Sequence, residues 1–75
     1  MKKYKYITIS QTDTDEMFGK HPVYTIFNNR GHDVLGSLTY YQPWKQYVAS
    51  FTARAVFNNS CLLDILDFME NEVQG

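Results

Sequence analysis

Apolar and polar positions alternate along most of the chain, which is typical of strands that bury one face. β-branched and aromatic residues dominate the alternating segments, and Gly, Pro and Asn separate them. The pattern predicts four strands and a short fifth one, near residues 3–10, 23–28, 34–41, 46–51 and 55–57. Strands that follow one another through short loops predict an antiparallel meander.

Two loops between the predicted strands have turn sequences. Residues 28–31 (Asn-Asn-Arg-Gly) tolerate positive φ and predict a hairpin loop. Residues 42–45 have Pro43 in the second position, which favours a tight turn. The predicted cross-strand pairs are Phe27 with Val34, Leu38 with Ala49 and Tyr40 with Tyr47.

After residue 58 the apolar period changes to that of a helix, predicted near residues 59–73. Asn58, Asn59 or Ser60 can cap its first turn. The chain is therefore expected to be one α+β domain, residues 1–75, in which a four- to five-stranded antiparallel meander carries one C-terminal helix on one face. The apolar stripe of this helix is Cys61, Leu62, Ile65, Leu66, Phe68, Met69 and Val73.

Strand alternation assigns side chains to two sheet faces. The face expected under the helix carries Ile7, Ile9, Val23, Thr25, Phe27, Val34, Gly36, Leu38, Tyr40, Tyr47, Ala49 and Phe51. The helix residues expected against it are Leu62, Ile65, Leu66, Met69 and Val73. The opposite face is expected to carry Tyr4, Tyr6, Thr8, Tyr24, Ile26, Leu35, Ser37, Thr39, Tyr41 and Val48.

Tyrosines with a few aliphatic residues are typical of a protein interface, whereas a solvated face favours charged residues. Trp44, at a turn tip, adds a ring of the kind that anchors interfaces. The sequence therefore predicts a partner-binding surface made of Tyr4, Tyr6, Tyr24, Ile26, Tyr41 and Trp44. Tyrosine is also simply a good strand residue, and a one-residue slip in register would exchange the two faces.

The chain has seven Lys and Arg against eight Asp and Glu, a net charge of −1. Nucleic-acid binders usually carry a cationic excess, so nucleic acid is a disfavoured partner. A single-stranded nucleic-acid platform, with bases stacked on the rings, is the alternative hypothesis. A second alternative is a homodimer whose working surface is the acidic side of the helix.

No residues form a recognisable catalytic or metal-binding motif. The carboxylates at residues 13–16 lack the further ligands of a calcium loop, and His21 and His32 are isolated. Cys61 falls on the apolar stripe, which favours a buried thiol over a nucleophile. We expect a non-enzymatic protein that uses no catalytic residue, metal or cofactor.

A domain of this length buries little surface and is often stabilised by a disulfide, a metal or a second subunit. The single cysteine excludes an internal disulfide, so a homodimer is an open hypothesis. No apolar run is long enough for a membrane span or a signal peptide. A cytoplasmic protein with no membrane partner is expected.

The second half of the chain carries three short sequence motifs. It reads Tyr-Tyr-x-Pro-Trp-Lys-Gln-Tyr-Val at residues 40–48, Val-Phe-Asn at 56–58 and Cys-Leu-x-Asp-Ile-x-Asp-Phe at 61–68. Over residues 22–73 the chain resembles short uncharacterised proteins of bacteria, phages and prophages. The resemblance implies a small inhibitor of a host defence system, such as an anti-CRISPR protein, that acts by stoichiometric binding to another protein.

Overall fold

The computed structural model describes residues 1–73, which form a five-stranded antiparallel sheet with one C-terminal helix. The strands are adjacent in chain order, so the predicted α+β meander is confirmed. The elements are β1 (Lys2–Lys3), β2 (Ile7–Asp15), β3 (His21–Asn28), β4 (Val34–Tyr41), β5 (Gln46–Phe51) and α1 (Asn59–Phe68). A π-helical turn, Met69–Val73, continues α1.

The N-terminal strand differs from the prediction because the chain turns between β1 and β2. Tyr4 donates its backbone N–H to the carbonyl of Ile7, and this bond brings Lys3 back opposite Thr8. β2 then runs on to Asp15, through residues that were expected to form a loop. The prediction of a short fifth strand at residues 55–57 is wrong, since that segment is irregular.

The three predicted cross-strand pairs are all present, including Phe27 with Val34. One extra residue, Leu35, is inserted immediately after that pair, because the next pair joins Ile26 to Gly36. Two residues then oppose one, which is a β-bulge. The bulge reverses the alternation, so Val34 points to one face while Leu35, Gly36, Leu38 and Tyr40 belong to the other.

Helix α1 begins at the predicted cap: Asn58 Oδ1 accepts a hydrogen bond of 2.8 Å from the backbone N–H of Cys61. The helix packs through Cys61, Ile65 and Phe68, which are buried. Leu62 and Leu66, which were expected in the core, are 44% and 52% exposed. The apolar stripe therefore extends further around the helix than its contact with the sheet, and only part of the stripe is covered.

The core lies between α1 and one face of the sheet, which we call the inner face. Its most deeply buried sheet residues come from β2, β3 and β4. Half-buried aromatic residues and Ala49 extend this core toward β5. The buried residues are Ile7, Ile9, Ile26, Leu35, Leu38, Cys61, Ile65 and Phe68.

Candidate protein-binding surface

Half of the six side chains predicted to contact a partner lie on the inner face. Ile26 is fully buried, and Tyr24 is half-buried with its ring centroid 5.1 Å from that of Phe68 in the helix. The predicted outward position of both residues is wrong, because the bulge at Leu35 exchanges the faces of β3 relative to β4. The predicted faces of five further residues are wrong for the same reason. Leu35 lies on the inner face, and the opposite, outer face carries Val23, Thr25, Phe27 and Val34.

Tyr4 is also turned toward the helix rather than toward a partner. Its hydroxyl donates a hydrogen bond of 2.8 Å to Asp67 Oδ2 in α1. Burial, the hydrogen bond to Asp67 and the negative charges nearby all raise the pKa of the Tyr4 phenol well above its ordinary value, in that order of size. Tyr4 therefore fixes the helix on the sheet while its hydroxyl remains protonated.

This raised pKa predicts how stability depends on pH. When folded Tyr4 stays protonated and unfolded Tyr4 ionises near pH 10.0, its contribution is present below pH 10 and is lost as pH rises above it. We expect the unfolding free energy to fall above about pH 10 in urea titrations followed by circular dichroism. Tyr4→Phe should lower stability by about 1 kcal/mol at neutral pH and flatten the alkaline fall.

Tyr47 has a raised pKa as well, chiefly from burial, so a residual alkaline fall is expected in Tyr4→Phe. Tyr6→Phe is the matched control, because Tyr6 is exposed and its hydroxyl has no hydrogen bond within residues 1–73. An alkaline profile of Tyr4→Phe identical to that of the unchanged protein would contradict the role assigned to the Tyr4 hydroxyl.

The remaining inner-face rings form a continuous aromatic cluster beneath the end of α1. His21 stacks on Tyr40 with ring centroids 3.8 Å apart, and Tyr47 meets His21, Tyr40 and Tyr24 edge-on or tilted. The Tyr47 hydroxyl donates a 2.6 Å hydrogen bond to the carbonyl of Pro22. Much of the tyrosine content of the chain therefore packs within the chain and is not available to a partner.

Tyr6 lies at the bend between β1 and β2 and is 42% exposed. It stands beside the N-terminal end of α1, where it lines an open cavity with Val56, Phe57 and Cys61. The Lys5 ammonium lies 5.3 Å from the centroid of its ring. Tyr6 is thus accessible, but it lies apart from Tyr41 and Trp44, the other two predicted residues that are exposed.

The outer face has no helix over it among residues 1–73, and its composition is mixed. Hydroxyl side chains form a row across four strands, where Ser10, Thr25, Ser37 and Ser50 are successive cross-strand partners. Apolar side chains flank this row on both sides. They are Phe27 and Val34 at one end, and Val23, Tyr41, Trp44 and Val48 at the other.

The second apolar end carries two exposed aromatic rings. Trp44 is 65% exposed and Tyr41 is 42% exposed, and their rings meet edge-to-face with centroids 5.1 Å apart. Together with Thr39 and Val48 they line an open cavity of about 360 Å³. These four residues, Thr39, Tyr41, Trp44 and Val48, are called the Tyr41–Trp44 patch below.

The turn between β4 and β5 holds Trp44 in place. Residues Gln42–Trp44 form a single 3₁₀ turn that starts with Pro43 in its first positions, and Lys45 closes it with φ of 51°. The backbone N–H of Lys45 donates a 3.0 Å bond to the carbonyl of Gln42. The turn fixes the backbone on both sides of Trp44, so its ring is presented from a defined position.

Other candidate chemistries gain no support from the geometry of the described chain. Residues 1–73 contain no group of three or more His, Cys, Asp or Glu placed to hold a metal ion. Cys61 is buried in the core, as its position on the apolar stripe predicted. Asp15 is the carboxylate that accepts the backbone N–H of Met17 in the loop, a local turn interaction.

Comparisons of the chain with protein-family models, curated proteins and solved structures give no match. Within residues 1–73, α1 and the turn that follows it are too short to cross a membrane. The geometry of the surface is therefore what bears on function.

Proposed function

We propose that this protein is a non-enzymatic binding module that recognises another protein through the Tyr41–Trp44 patch. The observation that carries the proposal is the pair of rings at Tyr41 and Trp44, exposed on an uncovered sheet face and packed against each other. Tyr and Trp are the residues most enriched among those that dominate interface energies. Of the six residues predicted from sequence, the proposal keeps Tyr41 and Trp44 and leaves out the exposed Tyr6. The other three, Tyr4, Tyr24 and Ile26, pack on the inner face.

The rigidity of the patch supports this assignment. Ordering a mobile side chain on binding costs about 0.5–1.5 kcal/mol, which reduces affinity. Tyr41 extends from a strand, Trp44 follows Pro43 in a closed turn, and the edge-to-face contact restrains both rings before a partner arrives. An interface built on this pair therefore loses less entropy than one built on flexible side chains.

Single-stranded nucleic acid is a weaker candidate for the same surface. A base-stacking platform needs neighbouring rings and cations along one groove. Lys45 follows Trp44 in the turn, but Lys2 and Lys3 lie in β1 at the opposite edge of the sheet from the patch, and Lys2 pairs with Glu72 at 3.6 Å. Tyr4 and Tyr24, which would have completed the platform, pack beneath α1.

The acidic side of the helix is also a weaker candidate, since two of its four carboxylates already have partners within the chain. Asp67 accepts hydrogen bonds from Tyr4 and from Asn71, and Glu72 lies beside Lys2. A surface whose carboxylates stabilise the fold has fewer of them free for recognition.

The resemblance of residues 22–73 to phage and prophage proteins supports a host protein, in particular a defence component, as the partner to test first. Photo-crosslinking supplies the first measurement. A benzophenone side chain at position 44 should crosslink one host protein, and the same group at position 18 should not. Phe18 is the matched position because it is also an exposed ring in a loop, on the β2–β3 connection.

The captured protein is then titrated with purified variants. Trp44→Ala should weaken binding by about 30-fold or more, the loss expected of a residue at an interface centre. Phe18→Ala should change affinity by less than about twofold, and both variants should melt as the unchanged protein does, because surface truncations cost little stability. An equal affinity for the Trp44→Ala and Phe18→Ala proteins would refute the proposal.

A further inference from the structure

The two edges of the sheet differ in how they resist pairing with another strand. β1 is two residues long and consists of Lys2 and Lys3, and the part of β2 beyond it carries a bulge and two aspartates. Short strands, lysines, bulges and charges are common protections of an edge. β5 has none of these over its six residues, Gln-Tyr-Val-Ala-Ser-Phe, and no described element pairs with its outer side.

The direction of the free backbone groups of β5 follows from one hydrogen bond. The N–H of Thr52 donates to the carbonyl of Leu35 at 2.9 Å, while Phe51 lies opposite Gly36. Phe51 is therefore in a pair that exchanges no hydrogen bonds with β4, and these pairs alternate along a strand. The N–H and C=O groups of Tyr47, Ala49 and Phe51 consequently point away from β4, toward solvent.

The free backbone groups of Tyr47, Ala49 and Phe51 can pair with those of the same three residues in a second, identical strand. In an antiparallel pair of identical strands, residues opposite each other must share a face, and outward-pointing groups must meet outward-pointing groups. A two-fold axis at Ala49 satisfies both conditions, with Ala49 opposite its copy and Tyr47 opposite Phe51. About six hydrogen bonds form, two at each of three positions, and an axis at Val48 or Ser50 forms fewer.

Side-chain sizes fit the same register. Two small Ala49 side chains meet at the axis, the Tyr47 ring pairs with the Phe51 ring, and on the outer face Val48 lies opposite Ser50. Aromatic pairs of this kind stabilise a sheet. Because β5 carries no charge, two identical copies meet without repulsion along the strand.

Apolar helix surface lies next to the same edge. Asp67 binds Tyr4 on the β1 side of α1, so Leu62 and Leu66, on the other flank of the helix, face β5. The Phe57 ring before the helix lies 4.7 Å from that of Phe51, which is itself 46% exposed. This uncovered apolar strip on the inner side extends the contact that a second copy would make at the edge.

We infer that β5 pairs with the β5 strand of a second copy of the chain, antiparallel and centred on Ala49, to give a homodimer with a continuous ten-stranded sheet. The pairing adds the buried surface that a domain of this size lacks alone. The strand is used through its edge, so Trp44 remains free on the outer face.

Sedimentation and amide exchange test this inference on the unchanged protein without any partner. The weight-average mass should rise from 8.8 kDa toward about twice that value between about 10 μM and about 1 mM. The amides of Tyr47, Ala49 and Phe51 should exchange more than about tenfold slower at the high concentration, whereas those of Val48 and Ser50 should be protected throughout. A monomer at 1 mM, or a dimer in which the three outward amides exchange freely, would overturn it.

Two charge variants test the register. Val48→Lys with Ser50→Lys places like charges opposite each other at both outer-face pairs and should yield a monomer. Val48→Lys with Ser50→Glu places opposite charges there and should remain dimeric. Because both carry Val48→Lys, the first differs from the second only at position 50. Dissociation of the Lys–Glu variant would exclude the Ala49-centred register, and dissociation of Trp44→Ala would assign the dimer to the Tyr41–Trp44 patch instead.

Discussion

Gly36→Ala is expected to cost about 3 kcal/mol or more, a large share of the stability of a domain of this size, because its added methyl group has no space. A Cβ built on Gly36 would lie 2.3 Å from the carbonyl oxygen of Ser50 and 3.1 Å from Phe51 Cα. Both atoms are backbone atoms of β5, so no rotamer change relieves the contact. Far-UV circular dichroism and a urea titration measure the loss directly.

A control variant distinguishes the close backbone contact at Gly36 from a general sensitivity of β4 to substitution. Ser37→Ala alters the next residue, whose side chain points to the open outer face, and should stay within about 0.5 kcal/mol of the unchanged protein. Adding Phe51→Ala to Gly36→Ala removes the ring atom 3.0 Å from the new Cβ, but it leaves the Ser50 carbonyl in place. We therefore expect no rescue, and a Gly36→Ala protein with normal stability would contradict this close approach of β4 and β5.

The order of the elements and two strand pairings could be predicted from sequence because they depend on local signals. The Pro43 turn fixed the pairing of Tyr40 with Tyr47, and Asn58 marked the start of α1. These signals act within a few residues, where turn geometry and capping dominate. The antiparallel sheet with one C-terminal helix followed from them.

The two faces could not be assigned from alternation alone, because a single inserted residue reverses them. Val34 and Leu35 are consecutive apolar residues followed by Gly36, and only one of the two can point inward in a regular strand. A glycine within a strand is a known sign of a bulge or a close approach, and here both occur. Placing the bulge there would have moved Tyr24 and Ile26 to the core and left Tyr41 outside.

The orientation of the helix needed long-range information. Its apolar stripe is wide enough for either half to pack on the sheet, and hydrophobicity does not distinguish them. The hydrogen bond between Tyr4 and Asp67 joins residues 63 positions apart and turns the Asp67 flank toward β1. That contact is visible in the sequence only after Tyr4 has been assigned to the inner face.

Ile26→Ala should destabilise the domain by about 2–5 kcal/mol, the usual cost of such a cavity in a well-packed core. Ile26 is 0% exposed and lies between Ile9 in β2 and Gly36 in β4, in the layer that α1 covers. Neighbouring side chains cannot fill the space easily, because the sheet backbone holds them apart. Urea unfolding followed by circular dichroism gives the value.

Val23→Ala is the matched control, since it truncates an aliphatic residue of the same strand on the outer face, where the lost contacts are fewer. We expect it to cost less than about 1 kcal/mol. The difference between the two variants tests the face assignment, because the alternation expected without the bulge predicts the reverse order. If Val23→Ala proved the more destabilising change, Ile26 would return to the outer face, and the aromatic surface available to a partner would have to include Tyr24.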